Sequence, residues 1–182
     1  MCSSDLSLFM NDKSLFSISC GLYVVGTPCG EGFAGCIVDA LIQSSALPPT
    51  VVLCSQRHTR TNECIRESGE FSVSVLREDT DPLTVAIFGF QSTRHIQKWP
   101  HVEHGFQRGL PVLQRVAAWY VCKVINTHDI GTHTLFHSEV LDAEMGEGAP
   151  LTYGHYRAQM RHATAVAFQA FKQRHAAAPV AP

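Results

Sequence analysis

The chain has 182 residues, a formal net charge of −2 and 45% hydrophobic residues, which is enough for one domain with a full core. The small net charge excludes the basic surface that a nucleic-acid-binding protein needs. The N-terminus lacks the basic segment of a signal peptide, and no apolar run is long enough to cross a membrane, so we expect a cytoplasmic protein. We predict a single domain over residues 1–176 and a disordered tail over residues 177–182.

Strand patterns dominate the first part of the chain. Apolar, β-branched runs and period-two alternation predict four strands, and the glycines of residues 28–35 predict a turn after the first strand. A short polar run that ends at Gly69 predicts a helix. The predicted strands are residues 22–27, 36–45, 48–55 and 71–76, and the predicted helix is residues 61–68.

The second part of the chain combines helices with two long strands. Asp81-Pro82 is typical of a helix start and predicts a helix over residues 81–90. Residues 116–131 and 132–144 predict two long strands joined by a tight turn, and helical spacing predicts a C-terminal helix over residues 158–175. Many consecutive strands with helices in their connections predict a mainly β fold, a small antiparallel barrel with flanking helices.

Seven cysteines occur without a CxxC pair, and in the absence of a secretory segment we expect them to be reduced. Cys54 and Cys122 lie in apolar, strand-like runs, where cysteine packs as a small hydrophobic residue. Cys29 and Cys36 flank the glycine-rich segment, and they are the candidates for a different role.

Histidines are frequent near the last two predicted strands. His133 and His137 share a strand face but are roughly 13 Å apart, which is too far for two ligands of one zinc ion. His101 and His104 lie in a predicted loop without an obvious third ligand. We therefore predict no metal site. His133 stays a candidate for ligand contact because it lies at the mouth of a hairpin.

Two hydroxyl-rich segments are candidates for holding a phosphate group. The chain has neither GxxxxGK[ST] nor GxGxxG, so a Rossmann nucleotide site is not expected. The segment Arg57–Thr61 combines two arginines and two threonines just before a predicted helix, whose N-terminus offers free N–H groups. Ser44 and Ser45 form a second hydroxyl pair. The alternative is a solvated polar turn with an N-cap threonine.

Six stretches in order cover nearly the whole chain before the terminal helix: LYVVGT, CIVDALIQSSALPP, SQRHTRTNECIRESGEFSVSVL, FGFQSTRHIQKW, GTHTLFHSEV and PLTYGHYR. Together they resemble the flavin reductase-like, FMN-binding split-barrel family, which includes flavoredoxin and the flavin domains of rubredoxin-linked reductases. The resemblance implies a six-stranded Greek-key split barrel and a homodimer with flavin near the subunit interface. It also implies an oxidoreductase in which NAD(P)H reduces FMN, or FAD, for an electron acceptor or a small-molecule substrate.

The resemblance also implies a set of site residues. His133 matches the family's histidine beside the cofactor, where it would contact the ring region or the substrate and donate a proton. SQRHTRT matches the phosphate-binding segment. The candidates are Val38, Asp39, Ala40, Gln43, Ser44 and Ser45 for the ring and ribityl side, Arg57, Thr59 and Thr61 for the phosphate, and Phe90, Ser92 and Lys98 for the flavin lining.

Two departures from the family pattern leave alternatives open. Asp39-Ala40 replaces the common Asn-Thr, and a carboxylate there would repel an anionic reduced flavin. Ser92–His95 replaces the familiar Ser-Gly-Arg-Asp run. Besides an FMN-dependent oxidoreductase, the sequence is compatible with an electron-transfer module reduced by a protein partner. A flavin-free small-molecule binder or non-redox enzyme on the same barrel is the third hypothesis.

Overall fold

A computed structural model describes residues 11–176 of the chain. Within this range, nine β-strands form one seven-stranded antiparallel sheet and a separate two-stranded hairpin. The strands are β1 (Tyr23–Cys29), β2 (Gly32–Val38), β3 (Leu41–Ala46), β4 (Pro49–Gln56), β5 (Glu70–Val75), β6 (His104–Gln107), β7 (Leu110–Leu113), β8 (Ala118–Ile130) and β9 (His133–Met145).

The helices lie in the connections between strands and after the last strand. They are α1 (Arg60–Ser68), α2 (Pro82–Phe90), α3 (Tyr153–His155) and α4 (Arg161–Ala176), with a π turn (Tyr156–Met160) between the last two and single 3-10 turns at Asp12–Ser17 and Trp99–His101. Thr59 caps the N-terminus of α1, and Gly69 ends it at a positive φ of 73°. Within residues 11–176, no helix is long and apolar enough to cross a membrane.

The large sheet has the strand order β2-β1-β5-β8-β9-β4-β3. The predicted mainly β, antiparallel fold with helices is therefore confirmed, but the predicted number of six strands is wrong. The edge strands β2 and β3 follow each other in the chain and are separated by only Asp39 and Ala40. Because two residues span a short distance, the end of β2 lies close to the start of β3 at this corner.

The glycine-rich segment after β1 is mainly a strand, so the predicted turn over residues 28–35 is wrong in extent. Cys29 pairs with Gly32, which leaves only Gly30 and Glu31 in the turn. Gly35 faces Gly26 across the hairpin, and a Cβ atom on Gly35 would lie 2.7 Å from the ring of Phe88. Gly35 thus permits close packing of α2 on β2 and does not form a turn.

Two groups of buried side chains form most of the core. One lies between the sheet and α1 and includes Leu53, Ile65, Phe71 and Phe136, all 0% exposed. The other packs α2 and α4 against the sheet and the hairpin β6–β7, around Phe88 and Trp99. Burial of each such side chain stabilises the fold by about 1.5–3 kcal/mol, so α1 and α2 are firmly held on the sheet.

Cys29 at the end of β1 and Cys64 in α1 form a disulfide bond. The expectation that all cysteines are reduced is therefore wrong for this pair, and Cys29 does have a role other than packing. Four further cysteines within the described range, Cys20, Cys36, Cys54 and Cys122, are free. The disordered tail predicted over residues 177–182 lies outside the described residues.

Candidate functional site

A cavity of about 380 Å³ lies where β2, the end of β4, the start of α1 and the end of α2 come together. We call it the α1 cavity. Its volume falls within the range of small-molecule binding sites. Ile37 and Val38 of β2 and Phe88 and Phe90 of α2 give it apolar walls, and the segment from Ser55 to Thr61 gives it a polar end.

The polar end is held in place by side-chain contacts between β4 and α1. Thr59 Oγ1 accepts a hydrogen bond from Asn62 N, and it donates one to Gln56 O at 3.0 Å. Asn62 Nδ2 donates to the backbone oxygen of Ser55 at 3.2 Å. The helix therefore begins at the cavity with its N-terminus fixed. No hydrogen bond within the described part of the chain uses the N–H groups of Arg60 and Thr61.

The hydroxyl groups around this end differ in their bonding. Thr61 hydrogen-bonds the Cys36 thiol, whose pKa is raised by burial and lowered less strongly by this bond and by nearby Lys98. Ser55 is 1% exposed and lines the cavity. Among residues 11–176, its Oγ is the one buried side-chain nitrogen or oxygen without a hydrogen-bond partner. Such an unsatisfied hydroxyl costs about 1–3 kcal/mol of stability.

Lys98 places a positive charge in the wall of the cavity. Its side chain is 2% exposed, and its Nζ donates hydrogen bonds to Gly35 O at 2.8 Å and Phe88 O at 3.2 Å. Burial lowers the pKa of Lys98 to about 8. No carboxylate of the described residues pairs with it. The charge and the nearby helix N-terminus both favour an anionic ligand.

Ion pairs bring two arginines next to the cavity. Arg60 Nη1 lies 3.1 Å from Glu63 Oε2, and Arg94 bonds the other oxygen of the same carboxylate. Hydrogen bonding from Arg60, followed by the charge of Arg94, holds the pKa of Glu63 below its usual value. Because all three side chains are partly exposed, these pairs contribute little to stability. The ion pairs fix the positions of these charged side chains near the α1 cavity.

The structure brings together about half of the site residues predicted from the sequence. Those that line the α1 cavity are Val38, Thr59, Thr61, Phe90, Ser92 and Lys98. Those that do not line it are Asp39, Ala40, Gln43, Ser44, Ser45, Arg57 and His133.

The predicted residues outside the cavity have other partners. Ser44 Oγ is hydrogen-bonded to Thr50 Oγ1 at 2.8 Å. The Arg57 guanidinium lies 3.5 Å from Asp129 and donates to Gly131 O at 3.3 Å. A bond from Thr134, and then the charges of Arg57 and Arg66, lower the pKa of Asp129. Arg57 is thus directed to the β8–β9 turn.

His133 lies opposite Gln56 in the register of β4 with β9. Because strand residues alternate between faces, its side chain is on the opposite face of the sheet from Ser55. His133 Nδ1 is 2.8 Å from Thr132 Oγ1. The histidine therefore belongs to a second, outer face of the sheet beside the cavity.

Ser55 lines the cavity, although the prediction from the sequence did not name it as a candidate site residue. Val51, Leu53 and Ser55 are buried at alternate positions of β4. This alternation places Ser55 on the core side of the strand, but the sequence does not show it because Val52 and Cys54 are apolar as well. The prediction gave weight to charged Arg57 instead.

Comparisons with known proteins identify relatives of this chain. A family model described as "Flavin reductase like domain" matches residues 15–163. The chain belongs to the flavin reductase-like family. The recognition from sequence motifs, and the predicted class of NAD(P)H-dependent flavin reductase, are thereby confirmed.

Individual members of the flavin reductase-like family match over most of the chain. The ferric-chelate reductase (NAD(P)H) of Archaeoglobus fulgidus is 34% identical over 81% of this chain and 89% of that protein. The high molecular weight rubredoxin of Moorella thermoacetica is 30% identical over 85% of this chain and 69% of its own length. The solved structure of the styrene monooxygenase flavin reductase of Pseudomonas putida has a TM-score of 0.68 at 30% identity, over 78% of this chain and 90% of that chain.

Proposed function

We propose that this flavin reductase holds FMN in the α1 cavity and uses NADH or NADPH to reduce it. The observation that carries the proposal is the joint placement of a helix N-terminus and the buried, positively charged Lys98 at one apolar-walled cavity. A flavin mononucleotide has a planar ring system and a phosphate group, so it needs both an apolar wall and an anion site. The residues present fit these needs.

Each part of the cavity has its own task in this proposal. Val38, Phe88 and Phe90 exclude water from the ring, and the start of α1 binds the phosphate through backbone N–H groups. Lys98 supplies a fixed positive charge that favours negative charge on the ligand. Bound flavin supplies the redox chemistry, which is acceptance of a hydride from NAD(P)H and delivery of electrons to an acceptor.

Residues on the outer face of the sheet belong to a second part of the proposal. His133, Asp39 and Ala40 do not line the α1 cavity, but His133 pairs with Gln56, which does. We propose that they contact the exposed part of the ligand or the electron acceptor. Gln43, Ser44, Ser45 and Arg57 remain proposed contacts of the ribityl chain or phosphate, and Arg57 must then leave Asp129.

The proposal includes a split barrel and a homodimer. The barrel is supported by the two-residue connection between the edge strands of the sheet. The dimer is supported by apolar side chains on the outer face of the sheet. Ile42 in β3 pairs with Val52 in β4, and Gln56 lies four residues further along β4 on the same face. Gln56 pairs with His133, which pairs with Ile130. Ile42 and Ile130 are therefore on the same face of the sheet. Ile42 is 65% and Ile130 is 43% exposed.

A titration of the purified protein with FMN tests the function. We expect quenching of flavin fluorescence on binding, and bleaching of the bound flavin absorbance when NADH or NADPH is added without oxygen. Unquenched fluorescence throughout the titration would contradict FMN binding. Bound flavin that both nucleotides leave oxidised would instead favour reduction by a protein partner.

A further inference from the structure

We propose that a second cavity, on the inner face of the large sheet, binds an uncharged aromatic compound with a carbonyl group, and that the hydroxyl groups of Tyr23 and Tyr120 bind the carbonyl oxygen. We call it the tyrosine cavity. Its volume of about 480 Å³ falls within the range of small-molecule sites. It has no lining residue in common with the α1 cavity, so the inference goes beyond the proposed function and does not depend on it.

The first argument is the position of the tyrosine cavity. Ile65 of α1 packs with Phe71, so the helix covers the inner face where β5 begins. Val75 at the other end of β5 lines the tyrosine cavity. Tyr23 of β1 and Leu41 of β3, which lie near opposite edges of the sheet, line it too. The sheet therefore curves around the cavity, and the mouths of such curved sheets are frequent places for ligands.

The second argument is the state of the two phenol groups. Tyr23 pairs with Val75 and Tyr120 with Val73, so both rings lie on the inner face and flank β5. No hydrogen bond among residues 11–176 uses either hydroxyl. Burial, followed by the nearby Tyr120, raises the pKa of Tyr23, and burial raises the pKa of Tyr120. Both hydroxyls therefore keep their protons at neutral pH and can donate to a ligand.

The third argument is that the remaining polar side chains of the lining already have partners. Gln43 Nε2 donates a hydrogen bond to Ser45 O at 3.2 Å. Thr50 Oγ1 is hydrogen-bonded to Ser44 Oγ at 2.8 Å. The two phenols are thus the donors that a ligand can use without breaking a bond of the protein. A carbonyl oxygen has two lone pairs, so it can accept a bond from each.

The fourth argument is the absence of charge around the cavity. Among the described residues, no aspartate, glutamate, lysine, arginine or histidine lines it. An ionised ligand would lose its hydration without gaining a counter-charge, whereas an aromatic ring gains free energy from apolar burial. The cavity therefore selects an uncharged ring. The apolar part of its wall includes Leu41, Val51, Val75 and Val140.

The test uses coumarin, an uncharged two-ring compound with one carbonyl group, and its anionic counterpart coumarin-3-carboxylate. Titration calorimetry measures both with the wild type and with the double variant Tyr23→Phe, Tyr120→Phe. Tyr156→Phe is the matched control, because Tyr156 is also buried but its hydroxyl bonds Thr164 and does not line the cavity. The wild-type titration is repeated with saturating FMN, and the melting temperature of each ligand-free variant is recorded.

We expect the wild type to bind coumarin at least about tenfold more tightly than the carboxylate. The double variant should bind coumarin about fivefold to a hundredfold more weakly, the range for losing two hydrogen bonds between neutral groups, and should melt like the wild type because no bond within the protein is lost. Tyr156→Phe should bind coumarin normally and melt about 2–4 °C lower. Saturating FMN should leave the coumarin affinity unchanged.

Four results would overturn the inference: no saturable binding of coumarin by the wild type, equal affinity for the carboxylate, an unchanged affinity in the double variant, or displacement of coumarin by FMN. The last result would place coumarin in the flavin site. A protein that binds coumarin as expected but does not bind FMN would overturn the proposed function and leave the tyrosine cavity supported.

Discussion

Lys98 is a residue whose charge depends on its burial in the wall of the cavity. It is buried against two backbone carbonyls, and its pKa is near 8, below the usual 10.5. It therefore changes charge at a pH where the protein can be studied. An ordinary surface lysine would stay charged throughout this range.

We predict that FMN binding weakens as pH rises above about 8, because Lys98 then loses the proton that favours the anionic ligand. Isothermal titration calorimetry between pH 7 and 9.5 measures this dependence. In the ligand-free protein the sign is opposite. The unfolded chain binds the proton more tightly between about pH 8 and 10.5, so the contribution of Lys98 to stability increases with pH in this window. A Lys98→Met variant should show a flatter FMN profile, and an equally steep one would exclude Lys98 as the cause.

Single residues also show where prediction from the sequence ends. Lys98, Thr61 and Phe90 were predicted as site residues from the family motifs that carry them, and all three line the α1 cavity. Arg57 was expected at the same site, but its partner Asp129 is 72 positions away in the chain, as the numbering shows. A pairing of this kind depends on the register of β8 with β9, which local sequence does not determine.

The C-terminal helix α4 is the element that supports the cavity from outside. Its last part, residues 164–176, lies beyond the region that matches the family model. Phe168 of α4 meets the ring of Phe90 edge-on with centroids 5.3 Å apart, and Phe90 lines the cavity. Lys172 Nζ lies 4.8 Å from the centroid of Phe168. A helix that lies mostly beyond the matched region thus supports a wall residue of the proposed flavin site.

We predict that Phe168→Ala weakens FMN binding by about twofold to tenfold, the value of one edge-to-face ring contact, because Phe90 loses its support. Fluorescence titration measures the effect. Val166 lies on the same helix and is 56% exposed, so Val166→Ala serves as the control and should bind normally. In Phe90→Ala, the additional change Phe168→Ala should have no further effect. Additive losses would show that Phe168 does not act through Phe90.

Most strands and helices were predictable from the sequence, but the tertiary contacts that explain some of them were not. The long strands β8 and β9 follow from their β-branched composition, and α2 follows from Asp81-Pro82. The start of β2 was predicted as a turn because it is rich in glycine. Gly35 lies in a strand because the Phe88 ring approaches it, and this contact joins residues far apart in the chain.

The two faces of the large sheet have different roles. The inner face builds the core and the α1 cavity, while the outer face carries His133 together with exposed isoleucines. The mainly β architecture was predictable from strand count and composition. The seven-strand order was not, since it depends on pairings between distant segments. The single-domain boundaries and the cytoplasmic location stay predictions.

We predict that the double variant Ile42→Glu, Ile130→Glu converts a dimer into a monomer, because two charges replace apolar side chains on the proposed interface. Light scattering at micromolar concentration measures the mass. Val166→Glu, a similar change on exposed α4, should leave the mass unchanged. A wild-type protein that is monomeric would contradict the dimer, and a double variant that stays dimeric would place the interface elsewhere.

The bond between Cys29 and Cys64 has a practical consequence for handling the protein. It links the β1–β2 hairpin covalently to α1, whose first turn forms one end of the cavity. A preparation kept in dithiothreitol and one kept in air are therefore chemically different samples, with the helix held by packing and hydrogen bonds alone in the first. Ligand affinities from two laboratories can be compared only when both buffers have the same thiol content.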